Sequence, residues 1–261
     1  MSSNDLDFGQ YIDFSTQKRF GIIKLNRVNR SNAFTIEQLE NLKKVLIYCQ
    51  EKKTIKGLIL TANGDSFSTG MDLSAVTSYN YEGVKKLEKL AAQICELLFN
   101  GKPSICAING RTLGEGVVFM VCCDYRIAVE GSYFQMPEIN SAIFPGTGCI
   151  VLFSKIIGIS WTKKMLMFSE KIDTQKALEI GLIDKIVSSR DDLIKSTMEK
   201  VQFLYSKNQT VLNAIKLYSN HLLDKNFKIG YELEKIGSDW YKFERKEEMI
   251  NNLREKFNWK P

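Results

Sequence analysis

Short apolar runs alternate with stretches of helical periodicity over the first three quarters of the chain, and then the runs stop. Residues 20–25, 57–61, 104–108, 125–129 and 182–187 have the length and composition of buried strands. Residues 35–52 place Ile36, Leu39, Leu42, Val45 and Leu46 at helical spacing, with Thr35 as the cap and Glu37 in the first turn. Residues 81–99 predict a second helix, and 117–123 a short apolar one. Asn63-Gly64 marks a turn after the second strand. Repeated strand–strand–helix units predict an α/β architecture of stacked turns rather than two separate lobes. From about Arg190 only helical periodicity remains, over 191–204, 210–223, 231–243 and 246–257. The expected division is a core over 1–190 and a helical C-terminal module over 191–261. Trp240 and Trp259 fall in that module, which either packs on a neighbouring subunit or caps the core.

Composition narrows the function classes. The chain has 261 residues and is 44% hydrophobic, enough for a sizeable core. A net charge of +6 suits a phosphate-bearing ligand, but no lysine/arginine block or RNA-binding motif supports nucleic acid. Six cysteines sit in apolar stretches without a CxxC, which predicts buried free thiols and a reducing compartment. The single histidine, His221, has no motif around it. That argues against a zinc site and against a serine or cysteine triad. The acidic, polar N-terminus is not a secretory signal, no apolar run reaches membrane-spanning length, and Trp-Lys-Pro is not a peroxisomal address. The expectation is a cytoplasmic protein with no membrane contact.

The candidate chemistry lies in two glycine-bearing segments and one carboxylate. Phe67-Ser68-Thr69-Gly70-Met71-Asp72-Leu73 follows an apolar strand, and Ile108-Asn109-Gly110-Arg111-Thr112-Leu113-Gly114-Glu115-Gly116 opens an apolar helix. Two such turns can each present a backbone N–H to one oxygen, as a thioester enolate requires. Glu138, in Met136-Pro137-Glu138, is the candidate base.

The order of these parts resembles the crotonase (enoyl-CoA hydratase/isomerase) superfamily from about Phe20 to the end. Leu25-Asn26-Arg27-Val28-Asn29-Arg30-Ser31-Asn32-Ala33-Phe34 is similar to its LNRP-x-x-x-NA signature, with Val28 in place of proline. Residues 67–73 are similar to F-x-x-G-x-D-L, and residues 107–116 to A-x-x-G-x-x-x-G-G-G. Residues 176–187 are similar to A-x-x-x-GLVD-x-V, a structural step. The resemblance implies the crotonase-like (ClpP/crotonase) spiral of ββα turns with a C-terminal trimerisation module. It implies an acyl-CoA substrate, no tightly bound cofactor beyond the substrate's coenzyme A, and a homotrimer or dimer of trimers. The oxyanion hole would be the backbone N–H groups of Met71 and Glu115, with Asp72 structural. Arg27, Arg30, Ala33, Gly70, Gly114 and, from a neighbouring subunit, Lys256 would contact coenzyme A.

Two departures bear on the reaction. Hydratases of the family carry a glutamate two residues after the glycine run, and Val118 stands there. The other glutamate is kept as Glu138 in Pro137-Glu138-Ile139-Asn140-Ser141-Ala142-Ile143-Phe144-Pro145-Gly146. One base suffices to move a double bond, so Δ3-Δ2-enoyl-CoA isomerase is the leading reading. Burial beside Val118 and Ile139 would raise the pKa of Glu138. The alternatives are an enoyl-CoA hydratase, a decarboxylase or dienoyl-CoA isomerase, and a non-catalytic protein that binds acyl-CoA or a protein partner. The second departure is Glu115, where the family has its middle glycine. It reads as a surface glutamate on a helix cap, so Glu115→Gly would leave turnover intact. If it has replaced the carboxylate missing at Val118, the same change would abolish activity.

Overall fold

The computed structural model describes residues 8–141, 143–220 and Glu232. The chain opens with a hairpin, β1 (Ile12–Gln17) and β2 (Phe20–Leu25), turned by Lys18 and Arg19. Both turn residues have positive φ, 46° and 64°. α1 (Ile36–Glu51) follows, capped by Thr35, whose side chain accepts from Gln38 N–H while the Gln38 side chain accepts from Thr35 N–H.

Three turns of one pattern come next. β3 (Gly57–Ala62) and β4 (Ser66–Ser68) lead to α2 (Leu73–Val76) and α3 (Tyr81–Phe99). β5 (Ser104–Ile108) and β6 (Arg111–Leu113) lead to α4 (Glu115–Val121). β7 (Tyr125–Val129) and β8 (Tyr133–Gln135) lead to α5 (Cys149–Ile156) and α6 (Gly158–Met167). Each turn adds one strand to each of two sheets. The larger runs β1-β2-β3-β5-β7-β10 and is parallel except for the β1 edge; the smaller runs β4-β6-β8-β9. β9 (Ile172–Asp173), α7 (Thr174–Glu179) and β10 (Lys185–Val187) close the two sheets. This is the expected α/β spiral of ββα turns.

The parallel strands are covered on both faces, which is why they read as continuous apolar runs. Leu58, Leu60, Cys106, Ile108 and Ala128 pack inward with α1, α3 and α4. Phe20, Ile59, Ile105 and Ile127 pack outward under α8 (Arg190–Tyr205), through Leu193 and Val201. The first helix of the expected C-terminal module is thus part of the packing of the sheet. A further helical run covers 209–220. The expected helices over 231–243 and 246–257 lie outside the described residues, as do His221, Trp240, Trp259 and Lys256. All six cysteines are buried and free. Among the described residues no helix is long and apolar enough to cross a membrane.

Candidate active site

Two turns, far apart in the chain, meet at the site. After β4 the chain turns at Gly70, with φ +78°. Phe34 N–H donates to Gly70 O at 2.7 Å, and Asp72 N–H donates to Phe34 O at 2.9 Å. Residues 34 and 71 therefore form a one-residue parallel bridge. Alternation along extended chain turns the Met71 N–H away from Phe34. The second turn is Gly114, at φ 52° and ψ −128°, a conformation only glycine takes without strain. A Cβ placed on Gly70 would stand 3.2 Å from Glu115 N and 3.3 Å from Gly114 Cα. Any side chain at 70 would push the turns apart. Residue 115 opens α4, where first-turn amides lack intrahelical partners and the helix dipole favours negative charge.

Glu138 begins a 3-10 turn, Glu138–Ser141. Its Oε1 lies 2.7 Å from where a Cβ on Gly114 would stand, so the carboxylate rests over the second turn. Oε2 is sealed from solvent and has no hydrogen-bond partner among the described residues. Burial pushes the carboxyl from 4.5 up to about 7, and its own backbone N–H offsets only part of that rise. A surface loop carboxylate would show none of this. Ile139, expected to help bury it, is instead 51% exposed. The burial comes from the walls of a cavity of about 310 Å³, which Met71, Val84, Leu87, Val118, Met136 and Phe144 make apolar. Glu88, Glu115 and Glu138 also reach the cavity, and among the described residues its lining includes no lysine, arginine or histidine. A wider polar pocket of about 610 Å³ lies at the carboxyl edge of the large sheet, around Asn63, Arg111 and Arg190, and neither glycine turn nor Glu138 lines it.

The surface reading of Glu115 is overturned. Its side chain is 8% exposed and lines the cavity one helical turn before Val118. The reason is tertiary: every residue of α4 is buried, so its first turn has no solvent face. Thr147 Oγ1 lies 3.2 Å from Glu115 Oε2, and Cys95 Sγ lies 3.8 Å from Oε1. A hydrogen bond with Cys122, burial, and the charge of Glu115 all raise the Cys95 pKa. The thiol stays protonated and donates. Thr147 and Cys95 were not foreseen; the Pro145-Gly146 turn was the only signal near either.

The first loop is braced rather than open. Arg27 Nη1 donates to Asp72 Oδ2 at 2.8 Å and to Ala33 O at 2.9 Å. Arg30 Nη2 lies 3.3 Å from Asp72 Oδ1 and donates to Ser74 Oγ at 2.5 Å. Arg27, expected to face a coenzyme A phosphate, is largely buried against Asp72, while Arg30 keeps an exposed flank. Burial opposes ionisation of Asp72, but bonds from Ser74, Arg27 and Arg30 outweigh it and hold the carboxyl well below the usual range. Asp72 also caps α2 through Ser74 N and Ala75 N. Asp72→Ala should cost about 3 kcal/mol, the scale for stranding a buried charge, read from urea unfolding. A loss under about 1 kcal/mol would show that the brace is dispensable.

A model of the enoyl-CoA hydratase/isomerase family matches residues 15–259. The chain is 27% identical over 206 residues to a crotonyl-CoA hydratase from Syntrophomonas wolfei, covering 78% of this chain and 79% of the relative. It is also 27% identical over 237 residues to a short-chain-enoyl-CoA hydratase from Clostridium acetobutylicum, covering 88% and 90%. A crystal structure of an enoyl-CoA hydratase from Bacillus anthracis superposes with a TM-score of 0.76 at 26% identity, over 90% of this chain and 97% of that one. An enoyl-CoA hydratase/isomerase from Mycobacterium paratuberculosis gives 0.85 at 18% identity, over 95% and 100%, which shows the shared fold. With the ββα spiral and the paired turns in place, the chain belongs to the enoyl-CoA hydratase/isomerase family.

Proposed function

We propose that the protein transforms acyl-CoA thioesters through an enolate and that its principal reaction is Δ3-Δ2-enoyl-CoA isomerisation. The observation that carries this is Glu138: a buried carboxylate, over the second glycine turn and in an apolar cavity, with one oxygen that has no partner among the described residues. The N–H groups of Met71 and Glu115 hold the thioester oxygen as charge develops on it. Glu138 takes a proton from C2, and the electron pair moves onto that oxygen. When the same carboxyl returns its proton at C4, the C3–C4 π pair forms the new C4–H bond and the pair held at the oxygen flows back to become the C2–C3 double bond. Nothing is gained or lost, so no cofactor is consumed. Val118, 1% exposed, puts an apolar wall where a hydratase of the family carries a carboxylate. Hydration is the second reading, favoured by the buried position of Glu115 and by the relatives named as hydratases.

Purified protein should convert a 3-enoyl-CoA to its conjugated 2-enoyl isomer, followed by absorbance. Glu138 must be ionised to take the proton, and its pKa is raised to about 7. Activity is therefore lost on the acid side: kcat/KM should rise about tenfold per pH unit below that value and level off above it. A profile already flat from pH 5 upward would exclude a base of this pKa. A homotrimer or dimer of trimers fits the exposed apolar residues Ile194, Phe203, Ile215 and Tyr218 of the C-terminal helices.

A further inference from the structure

We propose that Glu115 is a second catalytic carboxylate, holding the water that adds to C3 of a 2-enoyl thioester, so that one site both hydrates and isomerises. This rests on the enolate reading above, with Glu138 at C2. Among the described residues, position 115 combines the backbone N–H assigned to the thioester oxygen in this reading with a carboxylate at the same cavity. Its side chain shares a helix face with Val118 and reaches the cavity from one turn earlier. The two carboxylates flank residue 114: Glu138 rests over Gly114, and Glu115 is the next residue.

The surroundings of Glu115 are built to hold it there. Thr147 has φ +66°, a left-handed conformation that is costly for a β-branched residue. That conformation sets its hydroxyl 3.2 Å from Glu115 Oε2 and 2.6 Å from Gly146 O, two acceptors between which its proton is shared. Cys95 approaches the other oxygen from α3. Both groups are placed to donate to the carboxylate oxygens, and donated hydrogen bonds favour its charged form. A water needs about 10–15 Å³ of cavity space, and this cavity offers about 310 Å³. With Val118 apolar, that water finds its polar partners on the Glu115 side.

The step balances. The water oxygen forms a bond to C3 while one of its protons passes to the Glu115 carboxylate. The C2–C3 π pair moves toward C2 and the thioester oxygen. Glu138, entering in its protonated form, gives its proton to C2. The product is the 3-hydroxyacyl thioester, and the proton now on Glu115 returns to Glu138 by exchange with water. A group titrating near 7 is present in both forms at neutral pH. Its ionised form serves isomerisation, and its protonated form serves hydration.

Two initial rates test this on the native protein and on Glu115→Gln: hydration of a 2-enoyl-CoA, and isomerisation of the matching 3-enoyl-CoA. The ratio of hydration to isomerisation should fall at least about a hundredfold, the lower end for loss of a general base. Thr147→Val removes only the hydroxyl and should lower the same ratio about tenfold; it serves as the second variant if Glu115→Gln does not fold. A ratio unchanged in both variants overturns the proposal, as does a fall in Glu88→Gln in their place. Native protein that isomerises without hydrating also overturns it and leaves the isomerase reading standing. Native protein that hydrates without isomerising removes the isomerase reading, and loss of that hydration in Glu115→Gln still assigns the residue. Absence of both activities overturns both.

Discussion

Glu138→Gln should lower isomerisation by at least about a hundredfold while leaving the fold intact. Glutamine keeps the shape and still hydrogen-bonds, but it cannot take a proton at neutral pH. General-base removal costs about 10²–10⁴ in rate. The structure gives the change one further signature. Burial holds the Glu138 carboxyl near 7, so the rise in kcat/KM through that pH should vanish with the side chain. The same variant should also lose hydration, because the carboxyl that delivers the C2 proton is gone. Full isomerase activity in the variant would place the base elsewhere and leave only the oxyanion hole from this reading.

Gly114→Ala should be nearly as damaging, without touching an ionisable group. Residue 114 has a backbone conformation closed to alanine, and the added Cβ would meet Glu138 Oε1 at 2.7 Å. The turn has to shift, and it carries the residue 115 N–H with it. Removing one oxyanion-hole donor costs about 10²–10³ in kcat, and displacement of the base adds to that. The change also carries a stability cost, so activity is read on protein shown to be folded by its melting curve. Activity within threefold of native would mean that the second turn does not position the reacting groups.

How much of this was legible differs by element. Strands β2, β3, β5 and β7 of the large sheet and helices α1 and α3 could be read because burial on one or both faces imposes a period on the residues. The smaller sheet could not. β4, β6 and β8 have three residues each and β9 two, too few to show alternation. β1 escaped because Lys18-Arg19 takes the turn in place of the usual Asn-Gly. Leu182 and Ile183 read as strand but are core residues of the connection before β10, which starts at Lys185. At the site, Gly70, Gly114 and Glu138 stood out from their motifs. Thr147 and Cys95 did not, since a threonine in a loop and a cysteine in an apolar helix have no local mark of a carboxylate partner. The motif marked Arg27 as a phosphate contact but carried no sign of its partner within the fold, and only the structure showed Asp72 bonded to it.

The amino-acid sequence determined the repeat of strands and helices, the family, the placing of glycine where two backbones must touch, and the retention of one carboxylate with valine at the other position. Those are local properties: residue type, period and spacing. The tertiary structure alone decided that Gly70 packs against the second turn, that burial around Glu138 lifts its pKa, and that Glu115 is buried at the wall of the same cavity. Each depends on groups distant in the chain reaching a common place. Electrostatic environment is set by everything within a few ångströms, whatever its place in the sequence. A glutamate at the start of a helix is therefore a surface cap or a buried catalytic group according to what the fold packs around that helix.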